Sequence, residues 1–405
     1  MTRSIHTYWI DSAGNFTESN IVTTDSLDDF VTGIIRQGTD YYSYLLGGSG
    51  QKTIVYTRKN GVEASMRELE LEGRAFTAFE RGKAFIVATY SKKEKYLRVF
   101  RIVSNVVAEK KEFLLPIDLS QYKANQIQFV ASNNLFMLSE SAAKLKLHLD
   151  DQKLTIVADA PFEQWYEQTG VTPKTSILIL DLITGEVNVR TVLDSSRDDF
   201  RSFYFEGMLY RTVSTNTKFD LQVIDGTGKI VNRFMMPRAD AAKKQNVFFR
   251  EGRENKISKD ETLFHMMQTV NSTKPGLHVE RNHEGKLIIT WTTYFDSNGG
   301  GGMVGPTPAL ALLNFFVSTA VRQMREGPGV SRYFYLVEDG VGSFKFTTDE
   351  PTIARRQIDL FEMEYLTKEK ECKYKGYTKL GTNVMGVYFN SGIGAVELVN
   401  FGKLY

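Results

Sequence analysis

The chain has 405 residues, 42% of them hydrophobic and 24% charged, a globular composition that supplies a packed core and excludes general disorder. Fifty basic residues against 48 acidic ones leave a formal net charge of +2, so no field of one sign steers the chain to nucleic acid or to a membrane surface. The single cysteine, Cys372, excludes a disulfide within the chain and any cysteine-based metal cluster.

The N-terminal run Met1-Thr-Arg-Ser-Ile-His-Thr-Tyr-Trp-Ile-Asp11 holds no apolar stretch of signal-peptide length and no small-residue cleavage site. A cytoplasmic setting is expected for the chain as written, and the cell envelope if a targeting segment has been removed. The first hairpin signal follows at once. Tyr8-Trp-Ile-Asp-Ser-Ala-Gly14-Asn-Phe-Thr places an apolar strand end, an Asp, two residues, a Gly and a second strand. Asp or Asn ties such a turn through its side chain, and Gly supplies the positive φ that closes it.

Leu46-Gly-Gly-Ser-Gly-Gln-Lys52-Thr53 has the glycines of a phosphate loop without the spacing. Gln51 and Leu46 stand where that loop needs glycine, and Ile-Val-Tyr follows as a strand rather than a helix. A hairpin turn is expected there. The turn pattern then returns along the chain, as a variant at Arg58-Lys-Asn-Gly61 and without glycine at Ser104-Asn105. Asp181-Leu-Ile-Thr-Gly185, Asp225-Gly-Thr-Gly228 and Asp339-Gly-Val-Gly342 repeat it, each flanked by Val, Ile, Phe or Tyr. A second set of hairpins alternates with these, turning at Gly82, Asn134, Gly207 and Gly285. Together the two sets give four-stranded units of roughly 43 to 47 residues, the size of a propeller blade.

The clearest units are Ala75–Pro116 and Phe200–Met236. Two longer gaps predict insertions at 140–174 and 296–331, each between the second and third strands of its unit. Ser258-Lys-Asp-Glu261 before Leu-Phe-His-Met-Met reads as a capping box opening a short helix. The N-terminal hairpin lacks preceding partners, and the run Asn383–Phe401 offers them. The expectation is therefore an all-β chain: a single β-propeller domain over 1–405, of about six four-stranded blades with a seventh open, closed by strands from both termini. Two packed β-sandwich domains are the competing architecture.

Little chemistry stands out. His278 and His283 bracket one hairpin, and His278 shares a strand face with Glu280, but a metal site needs three or four convergent ligands and surface histidines are expected. No Gly-x-Ser-x-Gly elbow is present. Asp198-Asp199 and Asp349-Glu350 lie in turn-like contexts where solvated charge is the default. No catalytic, cofactor-binding or metal-binding residue is therefore assigned. Asn15-Phe-Thr and Asn271-Ser-Thr match the glycosylation triplet, which is short and frequent by chance. Trp165 and Tyr166, on the first insertion, are large aromatics of the kind that anchor partners.

Within 296–331 four glycines precede Pro306-Thr-Pro308, and from Thr307 the period changes from two to 3.6. Thr307 caps, Pro308 suits the first helical position, and Gly327-Pro-Gly329 ends an amphipathic helix of about seventeen residues. Ala309, Leu312, Leu313, Phe316, Val317, Ala320 and Met324 share its apolar face, with Phe315 on the opposite side beside Asn314, Ser318 and the arginines. A span needs about 20 largely apolar residues without such a polar face, so no transmembrane role is expected. The helix covers the propeller, docks a protein partner, or touches a membrane interface peripherally; Leu312, Leu313, Phe315, Phe316, Ala320, Met324, Trp165 and Tyr166 are the docking candidates.

The Asp181–Gly185 and Asp225–Gly228 turns resemble those between outer strands of quinoprotein-like and related propellers. The glycine- and methionine-containing insertion before Ser331-Arg-Tyr-Phe-Tyr-Leu-Val is also similar to exported propeller proteins of Bacteroidota, which implies a cell-envelope setting. The functional expectation is a non-catalytic interaction module or subunit of a larger assembly, with an enzyme or a small-ligand or carbohydrate-binding propeller as the alternative.

Overall fold

The computed structural model describes residues 3–10, 16–24, 30–37, 40–49, 52–60, 65–81, 83–122, 127–131, 142–149, 152–159, 174–193, 200–215, 217–241, 247–251, 254–257, 263, 265, 274–282, 284–294, 332–339, 342–351, 372–380, 383–390 and 395–403. They divide into two compact units, one built on Met1–Ala124 with the turn Thr184–Glu186, the other on the described residues from 125 onward.

The first unit opens with a hairpin of β1 (Arg3–Ile10) and β2 (Phe16–Thr24). A four-stranded antiparallel meander follows, β3 (Phe30–Gln37), β4 (Asp40–Ser49), β5 (Lys52–Asn60) and β6 (Ser65–Glu72). The next meander has the same order: β7 (Arg74–Arg81), β8 (Ala84–Ser91), β9 (Tyr96–Val103) and β10 (Val106–Leu114). The glycine-rich stretch from Leu46 closes the β4–β5 hairpin, with Ser49 opposite Lys52, as its strand-forming sequel predicts. Tyr44 of β4 stacks on Phe85 of β8 at 4.6 Å, and Val55, Leu71, Val87 and Ile102 complete a dry layer between the two sheets.

In the second unit, β12 (Leu145–Leu149), β13 (Lys153–Asp159), β14 (Lys174–Asp181) and β15 (Val187–Leu193) form an antiparallel meander, with β11 (Ile127–Ala131) parallel to β12. The meander β16 (Phe200–Phe205), β17 (Met208–Ser214), β18 (Lys218–Ile224) and β19 (Ile230–Pro237) follows, then a single helical turn α1 (Arg238–Ala241). β20 (Phe248–Glu251) and β21 (Glu254–Ile257) make a short hairpin. They join β22 (Lys274–Arg281), β23 (Leu287–Tyr294), β24 (Arg332–Glu338) and β25 (Phe344–Phe346); β20 and β25 share one side of β24. A three-stranded sheet, β26 (Cys372–Leu380), β27 (Asn383–Asn390) and β28 (Ala395–Lys403), ends the chain.

The turns behave as their residues dictate. Gly185, Gly228, Gly285 and Gly342 all have φ between +77 and +88, the region where a side chain is strained. The Asp225 carboxylate accepts from the backbone N–H groups of Thr227 and Lys229, and Asn282 does the same for Glu284 and Lys286. Ser104 and Asn105 are both left-handed, at φ 50 and 66, so the hairpin without glycine closes by the mirror-image turn that asparagine tolerates.

Two expectations differ from what the described residues do. The span 140–174 was expected as an insertion, but β12 and β13 inside it are strands of the sheet; its remainder, 160–173, lies outside the described residues. Leu145-Lys-Leu-His-Leu149 alternates strictly, the mark of a strand, yet neither glycine nor proline flags its ends. The hairpin turn expected around Asn134 lies outside the described residues; β11, the first strand of that expected hairpin, pairs in parallel with β12. Strands from the two termini pair within their own sheets among the described residues, rather than with each other. The helix expected at 307–325 lies outside the described residues, as do Trp165, Tyr166, Leu312, Leu313, Phe315, Phe316, Ala320 and Met324.

The large core of the second unit is aromatic. Trp291 lies 4.3 Å from Phe219 and 6.2 Å from Phe334, which stacks on Phe249 at 5.4 Å, and all four are buried. Each buries apolar area that stabilises by about 2–3 kcal/mol.

Gly73 joins the two four-stranded sheets of the first unit. It has φ +89, and a Cβ there would meet Thr89 Oγ1 at 2.9 Å. That hydroxyl is held by the Glu72 carbonyl, while Thr53 donates to the Gly73 carbonyl at 2.9 Å. Gly228 has the same backbone strain with nothing within 4 Å. Gly228→Ala should therefore cost only the left-handed strain, about 1–2 kcal/mol, and Gly73→Ala measurably more in chemical denaturation. Equal costs would show that Thr89 yields freely.

Candidate functional site

In the second unit β16 and β22, from successive sheets, run side by side, and β12 of the preceding sheet reaches β16 through His148. Phe203 of β16 contacts His278 of β22, and three residues further along each chain Arg281 and Glu206 form a forked ion pair, at 2.7–3.0 Å. The equal offset means that β16 and β22 point the same way. On the other side, Arg201 donates to the Ala142 carbonyl at 2.9 Å ahead of β12, and His148 near the end of β12 meets Phe203. β12 therefore runs in that direction too. Each strand is buried at its start and half-buried from its last one or two residues onward, at His148 and Leu149, Tyr204 and Phe205, and Glu280. Their half-buried C-terminal ends are here called the mouth.

Period-two alternation decides which side chains meet there. Lys146 and His148 share a face of β12, and His278 and Glu280 share a face of β22. Between them stands Phe203, with the His148 and His278 rings edge-on to it, each 4.9 Å from its centroid. Tyr204 approaches His148 at 6.1 Å. His278 Nε2 is 3.7 Å from Glu280 Oε1. Lys146 donates to the Ala143 carbonyl. His148 Nε2 is closed from solvent and has no hydrogen-bond partner among the described residues.

Burial sets the protonation of the cluster. It holds the His148 imidazole down at about 3, helped by the Lys146 and His278 charges, and His278 likewise at about 3, helped by Lys146. Lys146 is lowered to about 7 by burial, against the pull of Asp159 and with the repulsion of Arg201 and Lys144. Burial raises Glu280 to about 7. The surface histidine expected at position 278 is thus a buried one, because β22 places its even-numbered side chains against β16; His283 lies outside the described residues.

Beneath the mouth a buried carboxylate stitches the sheets. Asp159 ends β13 and accepts from the Thr175 hydroxyl of β14 and the Ser202 N–H of β16, both at 2.8 Å. Ser202 Oγ and Thr175 Oγ1 are 3.2 Å apart. The cluster offers a nucleophile-like hydroxyl and a carboxylate, but both are fully enclosed and engaged in holding strands together. No group of three His, Cys, Asp or Glu side chains is placed to hold a metal ion among the described residues, and no helix of the described residues is long and apolar enough to cross a membrane.

Stacked antiparallel meanders, joined strand to following strand and packed face on face, are the blades of a β-propeller, and that is the fold class of this chain. No protein-family model and no curated protein matches it. Solved structures similar to it include the WD40 domain of SCAP from fission yeast, at 9% identity over 96% of this chain and 78% of that one, with a TM-score of 0.30. The β-propeller domain of Cps50 (Swd1) from Myceliophteria thermophila is similar at 8% identity over 92% and 89%, with a TM-score of 0.28. A prolyl endopeptidase structure is similar at 14% identity over 70% of this chain, which spans 33% of that one, with a TM-score of 0.29.

The two histidines contribute to the acid limb of stability, beside Glu94, Glu112 and Glu206, whose cationic partners lower their pKa and whose contribution is lost as pH falls through the carboxylate range. Unfolded, each imidazole protonates near its ordinary 6.5; folded, each resists until about 3, so their contribution is lost as pH falls below 6.5. Glu280 acts in the opposite sense, contributing fully below its ordinary 4.5 and losing that contribution as pH rises through about 7. Stability should fall from pH 6.5 and more steeply below 4.5, where the Glu280 contribution has become constant. In denaturation series across this range, His148→Phe should reduce the slope by one proton, about 1.4 kcal/mol per pH unit. An unchanged slope would mean that His148 is already charged in the folded chain.

Proposed function

We propose that this chain is a binding module on a propeller scaffold, recognising its ligand at the mouth where the ends of β12, β16 and β22 emerge. One observation carries the reading. Residues 148, 203 and 278, far apart in the chain, set two imidazoles edge-on to a single aromatic ring, with Glu280 beside His278 and the Lys146 charge acting on both imidazoles. Perturbed titratable groups converging at the half-open end of buried strands mark binding sites more often than they mark structure. The role is recognition rather than turnover, because the enclosed Thr175 hydroxyl is committed to Asp159 and the Ser202 hydroxyl to Thr175. The test is histidine-resolved NMR with a panel of simple carbohydrates, carboxylates and phosphates. A compound of the panel that binds should move the His148 and His278 signals, and Phe203→Leu should weaken it. Binding that leaves both signals still would place the site elsewhere.

A second reading, a protein-interaction subunit of a larger cell-envelope assembly, is favoured by the outermost strands. Val106, Val107 and Leu114 on β10, Val189 on β15, and Ile230, Val231 and Met235 on β19 are 40–59% exposed on strands that end their sheets among the described residues. Such edges accept a further strand or an apolar partner surface. In this reading the amphipathic segment around Leu312, Leu313, Phe316, Ala320 and Met324, with Phe315, Trp165 and Tyr166, docks the partner. Deleting 299–327 should then release a stoichiometric partner from complexes purified from the native host. Retention of the partner would remove the segment from the interface.

A further inference from the structure

We propose that the mouth binds a small oxyanion, a carboxylate or a tetrahedral phosphate-like group, and takes up protons from solvent as it does so. The inference rests on the mouth being the recognition site and names the chemistry it takes.

Lys146, His148, His278 and Glu280 share one property: each, when protonated, is a hydrogen-bond donor. An oxyanion offers only acceptors, so it favours the protonated form of all four. Without it, the Lys146 charge disfavours protonation of both imidazoles, and a charged His278 disfavours that of His148. Burial adds to that penalty. An anion placed among them offsets both effects at once. His148 Nε2 supplies an independent sign, being enclosed and without a partner among the described residues, which is unusual for a buried polar atom. A cation is the wrong ligand, because the Lys146 amine stands on the same strand face as His148.

The charges around the cluster agree. Arg201 and Lys144 lie on the Lys146 side, with the Asp159 carboxylate the counter-charge there. At the rim the Glu206 carboxylate is already forked onto Arg281, and Tyr204 presents a phenol beside His148. Among the described residues Glu280 is the one acidic group of the mouth itself, and burial holds it in the acid form up to about neutral pH. It therefore joins the donors below that pH and repels an anion above it. Affinity should accordingly rise as pH falls.

Sulfate and acetate are suitable probes, because neither changes charge between about pH 6 and pH 8. The His148 and His278 ring signals are assigned with His148→Gln and His278→Gln and followed over that range with each anion. Alone, both rings should stay neutral; with a bound anion, His148 should begin to protonate, and affinity should grow on the order of tenfold from the alkaline to the acid end. A response to sulfate only assigns the phosphate-like group, and to acetate only the carboxylate. Glu280→Gln, at a half-buried position that tolerates an amide, should bind more tightly than the wild-type chain at the alkaline end and lose much of the pH dependence. Ring signals indifferent to both anions overturn the proposal. If maltose, a neutral disaccharide, moves those signals while the anions do not, the mouth stands as a recognition site and only its oxyanion chemistry falls.

Discussion

A four-stranded antiparallel sheet has two faces and can bury both only against another sheet. The rest of this chain depends on that constraint. In the first unit the faces of two meanders close over Tyr44, Phe85 and their neighbours. In the second, the layer holding Phe219, Trp291, Phe249 and Phe334 draws residues from two sheets and from the residues around α1. Because β16 and β22 are edge strands of their sheets, the packing of one sheet on the other brings them side by side. The mouth is a consequence of that stacking, since β12, β16 and β22 belong to different sheets and share no ladder hydrogen bonds.

Stacking alone does not fix how far one sheet slides along another, and polar links do that here. Asp159 reaches from β13 to the Ser202 N–H of β16, and Arg281 reaches from β22 to Glu206. The first is enclosed, so its removal would leave two donors without acceptors in a dry place. The second is exposed, and its worth lies in geometry more than in energy. Between the two links stand Phe203 and the histidines. Their distances follow from how these anchors set the strands against one another.

Much of the architecture was legible because turns carry their own chemistry. Asp225 with Gly228, Asn282 with Gly285, and Ser104 with Asn105 close hairpins through bonds made within four residues, and such bonds need nothing distant. The sheets Arg74–Leu114 and Phe200–Pro237 could be read almost strand by strand for that reason. β12 and β13 could not. Their hairpin at 150–152 has no glycine, so an alternating strand passed for an insertion. The sense of β11 was hidden as well, because parallel and antiparallel partners ask for the same residues.

The site was the least legible part. Its signal in the sequence is faint: Lys146 and His148 two apart, His278 and Glu280 two apart, each pair on one strand face. Alternation shows that each pair points one way but cannot say whether that way is solvent or protein. By itself the sequence determined most of the strands, the turns closed by glycine or asparagine, the globular class and the chemical kinds of side chain available, since all of these depend on neighbours a few residues away. The tertiary structure alone decided that His278 is buried, that Phe203 separates two imidazoles, and that an amine and a carboxyl are held near neutrality. Those outcomes depend on which sheet lies against which, and on the water that the contact excludes.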